Sequence, residues 1–322
     1  MKANLKPFKF TPILKSVLWG GEKIAPFKGL STEQHNVGES WEISGVEGHE
    51  SIVAEGKDTG LSIIELLRKY KSDLVGKAVY ERFGNKFPLL VKIIDAKADL
   101  SVQVHPNDEL AMKRHNCFGK TEMWYIIDAD PGAKIYSGLN RHITPDEFDS
   151  LVARKKIMDV VAQHETHPGD LFYLPPGRIH SIGAGNLLAE IQETSDITYR
   201  VYDFDRRDAM GNKRELHNDL AREAIDYETY DGYKIPSPKD TDGINELIKC
   251  DCFDTRRLIV NGSFHLDVPD TFIIVMNLQG NVTITDNNGN ITTMHRGETI
   301  LVPAAINTLD IAGNTRLLLA TA

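Results

Sequence analysis

Cysteine is scarce: Cys117, Cys250 and Cys252 are the only three in 322 residues. Three cysteines make no disulfide framework, and Cys250-x-Cys252 alone is too little for a zinc knuckle. Long apolar runs are missing as well. No stretch reads as a bilayer span, and the opening MKANLKPFKFTPILKSVLWGG has no continuous apolar core of the kind that heads a secretory leader. Basic residues are outnumbered, giving a formal net charge of −9. That argues against nucleic-acid binding, which needs a basic face. It does not exclude a small anionic ligand, for which a few local cations suffice. These absences lead us to expect a protein of the reducing cytoplasm with no nucleic-acid or membrane partner.

What is present begins with an ordinary globular composition, 41% apolar and 26% charged. The length suggests two domains. Leu100–Ile126 organises the rest. Ser101-Val-Gln-Val-His105 alternates strictly, so on a strand Val102 and Val104 bury on one side while Gln103 and His105 project together on the other. Glu122 shares a face with Trp124 and Ile126, which takes a carboxylate into an apolar wall. Such a group is costly there unless paired or bound to a cation. Imidazole, amide and carboxylate form a hard N/O donor set suited to zinc or a similar divalent ion. A third strand is needed for the missing donor, and His180 offers it.

Elsewhere the spacing predicts a helix over Leu61–Tyr70, another from Thr144 to about Lys155, and a third over Leu216–Ile225. Phe87–Ile94 reads as an apolar strand carrying one lysine, Lys92, either snorkelling outward or serving a site. Lys234–Lys239 reads as a linker, and Asp286-Asn-Asn-Gly289 as a hairpin turn. Gly169-Asp-Leu-Phe-Tyr-Leu-Pro175 is echoed by Gly297-Glu-Thr-Ile-Leu-Val-Pro303, which suggests two copies of one β unit. The second copy has no histidine at the offset of His180.

Gly169, Pro175, Gly177 and His180 carry the second signature spacing of the cupin jelly-roll barrels. Adding Ser101–Pro106, Gly119-Lys-Thr-Glu-Met-Trp124 and Gln192–Asp203, the chain closely resembles the type I mannose-6-phosphate isomerases, especially their short bacterial form. The resemblance implies a mainly β fold of two cupin-type jelly-roll β-barrel units with helical insertions and a metal in the first only. Residues 1–235 would be the catalytic unit and 236–322 a metal-free β-barrel. It implies one zinc per chain held by Gln103, His105, Glu122 and His180, with Arg200 as the active-site arginine and Lys120 as a pocket cation. Many other cupins take a glutamate nearer the second ligand, where this chain has Glu109. The apolar setting of Glu122 favours it over Glu109, which lies in a polar run.

The expected reaction interconverts mannose 6-phosphate and fructose 6-phosphate through an enediolate, in a monomer or homodimer. Lys120, a metal-activated water and Glu193 are all open as the group that takes the C2 proton. Another cupin enzyme, such as a dioxygenase or a different sugar isomerase, and a non-catalytic sugar-binding cupin are the alternatives. His35, His49, His115, His164, His167, His217, His265 and His295 read as non-ligands. For Arg200 the competing role is a salt bridge to Asp196 or Asp203, and Asp196 itself either orients Arg200 or caps its loop.

Overall fold

The computed structural model describes residues 3–322. It is mainly β with short helices inserted between strands. Two antiparallel sheets face each other in the first part of the chain. The seven-stranded sheet runs, edge to edge, Lys234–Ile235, Leu171–Leu174, Glu122–Ala129, Asn186–Glu193, Leu89–Asp95, Val37–Ile43 and Ile13–Gly21. The five-stranded sheet runs Tyr199–Tyr202, Val102–Val104, His180–Ile182, Lys134–Leu139 and Val161–Glu165. Trp124, Ile126, Phe172 and Leu188 from one sheet meet Ile135 and Ile182 from the other in a common interior.

The far face of the seven-stranded sheet is buried too. Leu89, Val91, Ile93, Met123 and Ile191 pack there with Leu66 and Leu67 of the Ile63–Tyr70 helix and with Phe272, Ile274, Leu301 and Leu318 of the C-terminal part. That explains why Leu89–Asp95, buried at every position, reads as a continuous apolar run and not as an alternation. The far face of the five-stranded sheet is covered by helices Pro145–Ala153 and Asn218–Ala224, whose Phe148, Leu151 and Ala221 pack on Val102, Val104 and Tyr199.

The expected helices form, and the first two are capped by their own side chains. Ser62 Oγ accepts from Glu65 N at 3.2 Å while the Glu65 carboxylate accepts from Ser62 N at 2.7 Å. Thr144 Oγ1 accepts from Glu147 N, with Pro145 in the first turn. That helix stops at Ala153, just short of Lys155. Helices Ser72–Val75, Lys77–Phe83 and Asp108–His115 carry no apolar stripe strong enough to mark them in the sequence. Among the described residues no helix is long and apolar enough to cross a membrane.

The C-terminal residues supply seven strands of a nine-stranded sheet with its own interior, lined by Val260, Val275, Ile284, Ile300, Ile311 and Leu317. The Asp286–Gly289 turn forms as expected, with Asp286 accepting from Asn288 N at 2.8 Å and Gly289 at φ 79°. The sequence echo is a structural one. Asp170 accepts from His167 N at 2.7 Å, Glu298 accepts from His295 N at 2.7 Å, and Gly169 and Gly297 both take positive φ before the strand. The chain also crosses between the two parts. Phe8–Thr11 pairs with Thr299–Val302 and Ile52–Val53 extends that same sheet. The expected linker begins as a short strand, Lys234–Ile235 pairing with Leu171–Phe172.

This interlock has a consequence for truncation. A chain ending near Lys239 loses the partner of Phe8–Thr11 and uncovers one face of the seven-stranded sheet. We expect that fragment to aggregate or to lack a cooperative thermal transition, checked by size-exclusion chromatography and near-ultraviolet circular dichroism.

Candidate metal centre and cavity

The site grows from strand alternation. Val102 and Val104 turn out toward the helices, which leaves Gln103 to point between the sheets with His105 beyond it. In the next strand His180 is paired across from Gln103. Glu122 opens a strand of the facing sheet, on the same side as Trp124 and Ile126. Gly119 makes the return loop possible. It lies so close to the Pro106–Asp108 backbone that a Cβ there would stand 2.6 Å from Asp108 N.

His105, Glu122 and His180 are 2%, 0% and 1% exposed, and one ligand atom from each lies within 4.8 Å of the others. Each imidazole is oriented from behind. His105 Nδ1 lies 2.9 Å from the Ile197 carbonyl and His180 Nδ1 lies 2.8 Å from that of Arg178. A carbonyl only accepts, so both Nδ1 atoms carry the proton and both Nε2 lone pairs point inward. Burial, the largest cause, holds His105 well below the usual histidine range and His180 down at about 3, so both rings are neutral. His180 Nε2 stands 3.2 Å from Glu122 Oε1, and His105 Nε2 stands 3.7 Å from Glu122 Oε2.

His105 Nε2 and Glu122 Oε1 make no hydrogen bond, although both are fully buried. Two inward imidazole lone pairs around one carboxylate, which Lys120 meets only at Oε2, make a set of acceptors that a cation would satisfy. The donor set therefore fits a divalent metal. Gln103 presents Nε2 to His180 Nε2 at 3.3 Å. Half a turn of the amide, which changes no shape, offers Oε1 to a cation instead.

Lys120 lies beside this cluster, its Nζ 2.8 Å from Glu122 Oε2 and 4.0 Å from Glu190 Oε1. Burial pushes the Glu122 carboxyl up to about 7, and the Lys120 ammonium acts against that. Glu190 goes the other way. Burial would raise it, but Lys120 and Lys92 together bring it down to about 2. Lys92 Nζ stands 2.9 Å from Glu190 Oε1, and Trp124 Nε1 donates to Glu190 Oε2 at 2.8 Å. Lys92 thus does not snorkel. It is an interior cation.

Glu190 escaped the sequence reading, yet its signal is there. Leu188, Glu190 and Gln192 share one strand face, so two polar groups enter the interior two residues apart. Breaking this buried set should be expensive. Glu190→Ala leaves Lys92 without its carboxylate, and we expect a loss of about 3–5 kcal/mol, read from the urea midpoint.

A cavity of about 310 Å³ lies beside the cluster, lined by Gln103, Lys120, Lys92, Glu190, Trp19, Asp196, Thr198, Arg200 and Arg214 among others. Arg200 is paired across from Gln103, its Nε 3.3 Å from Ser101 Oγ and its Nη1 3.0 Å from the Glu215 carbonyl. Among the described residues it has no carboxylate partner. Asp203 is taken by Arg206 and Arg214 instead. Burial, and next the nearby Arg214 guanidinium, lower Arg200 below the usual arginine range. Two guanidiniums thus line the cavity. His217, read as a bystander, accepts from Arg200 N at 3.1 Å.

Other candidates fall outside. Glu193 turns to the opposite strand face and accepts from Thr121 N at 2.8 Å, so it does not reach the cavity. Glu109 sits exposed in the first turn of the Asp108–His115 helix. His164 meets the Ser137 carbonyl and His115 the Tyr199 hydroxyl.

Residues 8–131 match the family model described as phosphomannose isomerase type I, catalytic domain. The mannose-6-phosphate isomerase ManA of Bacillus subtilis is 36% identical over 278 residues, which cover 85% of this chain and 86% of that protein. The mannose-6-phosphate isomerase of Streptococcus mutans is 31% identical over 309 residues, covering 94% and 93%. The crystal structure of the mannose 6-phosphate isomerase from Bacillus subtilis superposes with a TM-score of 0.90 at 30% identity, over 99% of this chain and 100% of that one. Agreement along nearly the whole length takes in both β units and the interlock between them. On these grounds the chain belongs to the type I mannose-6-phosphate isomerases, aldose–ketose isomerases of cupin fold.

Proposed function

We propose that this chain interconverts mannose 6-phosphate and fructose 6-phosphate, with one zinc ion held by Gln103, His105, Glu122 and His180. The observation that carries this reading is the buried cluster of His105, Glu122 and His180 beside a cavity lined by Gln103, Lys120, Arg200 and Arg214. A cavity of about 310 Å³ suits a hexose phosphate. When bound, the ion supplies Lewis acidity to the developing enediolate charge and no redox chemistry, as an isomerisation requires.

The chain's own residues do the rest. Arg200 and Arg214 grip the phosphate dianion, Arg214 steadied by Asp203. The barrier is the acidity of the carbon beside the carbonyl, so the proton must pass to a group inside the cavity. Lys120 is the cavity group we place to exchange it, while Glu190, held ionised by Lys92 and Lys120, serves as their counter-ion. Trp19, Ile94 and Ile182 on the cavity wall keep bulk water from the enediolate. We place the reaction in the cytoplasm, where sugar phosphates are retained. Residues 1–235 form the catalytic unit, and 236–322, with no metal, buttress its sheet.

The test joins metal analysis to a coupled assay for fructose 6-phosphate made from mannose 6-phosphate. We expect about one zinc per chain and activity that a chelator removes and zinc restores. Iron together with oxygen consumption, and no isomerisation, would point to a dioxygenase instead.

A further inference from the structure

Strand Tyr199–Tyr202 lies at the edge of the five-stranded sheet and pairs only with Val102–Val104. An edge strand leaves main-chain N–H and C=O groups without ladder partners. At Arg200 one residue closes that open side. The Arg200 carbonyl accepts from His217 N at 2.7 Å, and Arg200 N donates to His217 Nδ1 at 3.1 Å. An imidazole nitrogen thus stands where the carbonyl of a further strand would stand. A main-chain N–H only donates, so Nδ1 carries no proton and the ring's N–H is at Nε2. The residues just before His217 close on the same place. Arg200 Nη1 donates to the Glu215 carbonyl at 3.0 Å, and Arg214 Nε donates to Asp203 Oδ2 at 2.8 Å. Just after it, Ala221 N donates to the His217 carbonyl at 2.8 Å, and Ala221 packs in the core with Val102, Val104 and Tyr199. The segment that clasps Arg200 is therefore itself anchored.

We propose that His217 is a positioning residue for Arg200, acting through the lone pair on Nδ1. The contact stands on the geometry, and its kinetic consequence rests on the isomerase reading. His217 does not line the cavity, so it acts on a bound sugar only through the arginine. Ser101 Oγ and the Glu215 carbonyl are the two anchors of the guanidinium, and Glu215 is two residues from His217. Opening the clasp frees the Glu215 carbonyl to drift, and the guanidinium then keeps only Ser101. One anchor leaves the plane of the fork free to turn. A charge displaced by about 1 Å loses much of its effect on a transition state, so the loss falls on kcat.

Two amides separate the lone pair from the bulk of the ring. Asparagine Oδ1 falls where histidine Nδ1 stands, whereas the glutamine acceptor falls near Nε2. In the full-length, zinc-replete enzyme, His217→Gln should lower kcat by about tenfold with zinc content kept. His217→Asn should stay within about threefold of the unsubstituted enzyme. In an Arg200→Lys background His217→Gln should cost less than about twofold more, because nothing is left to position. A second readout needs no activity. Hydrogen exchange read by mass spectrometry on the peptide holding Tyr199–Tyr202 should show the Arg200 amide at least about tenfold faster in His217→Gln and unchanged in His217→Asn. Undiminished kcat in His217→Gln, equal losses in the two amide variants, or unchanged exchange in His217→Gln overturns the proposal. An unsubstituted enzyme inactive on mannose 6-phosphate overturns the isomerase reading instead, and the exchange measurement then decides the clasp by itself.

Discussion

Glu122→Gln is expected to abolish metal retention and to lower kcat/KM by a factor on the order of 1,000 or more, with the fold intact. The carboxylate is the one negative donor in the cluster, and it sits 3.2 Å and 3.7 Å from the two inward Nε2 atoms. A neutral amide of the same shape keeps the packing on Trp124 and Ile126 but removes the charge that draws a divalent ion between two neutral imidazoles. His180→Ala should give the same phenotype, because the Arg178 carbonyl that orients the ring then orients nothing. The control is Glu109→Gln, which alters an exposed helix first turn and should keep full metal and activity. Zinc content by atomic absorption, read beside steady-state rates, separates these outcomes. Normal zinc in Glu122→Gln together with loss in Glu109→Gln would reverse the ligand assignment.

Arg200→Lys should lower kcat by about a hundredfold while zinc stays bound. Two of the guanidinium's nitrogens are already committed, to Ser101 Oγ and to the Glu215 carbonyl, and these fix its plane. Lysine has a single nitrogen and cannot keep both anchors while facing the cavity. Arg200 lies directly across the ladder from Gln103, one strand from the proposed metal, so its charge bears on the reacting end of the sugar as well as on the phosphate. Arg214 reaches the cavity from the segment that precedes the Asn218–Ala224 helix and is neutralised in part by Asp203. Arg214→Gln should therefore raise KM more than it lowers kcat. Kinetics with mannose 6-phosphate on zinc-replete variants decide between these roles, and wild-type kcat and kcat/KM in Arg200→Lys would remove that residue from the site.

Much of the candidate site was legible because strand alternation is a local rule. Gln103 and His105 had to share a face once Val102 and Val104 were assigned to the other, and Glu122 had to follow Trp124 inward. His180 was reachable through the Gly-Pro-Gly spacing of its turn, and the echo at Gly297 through the same turn chemistry. What did not show was anything set by pairing between distant strands. The Lys92–Glu190 ion pair joins neighbouring strands whose partners lie almost a hundred residues apart in sequence. No local pattern tells a lysine that exits from one that meets a carboxylate.

By itself the sequence determined which side chains face inward on each strand, where the capped helices begin, and that His105, Glu122 and His180 are candidates for one hard donor set. Tertiary structure alone decided the rest. It carried Phe8–Thr11 into the C-terminal sheet, turned Glu193 away from the cavity, and gave Asp203 to Arg206 and Arg214, so that Arg200 keeps a free charge. The reason is physical: alternation fixes the direction of a side chain relative to its own backbone, whereas its partner is fixed by which strands come to lie side by side.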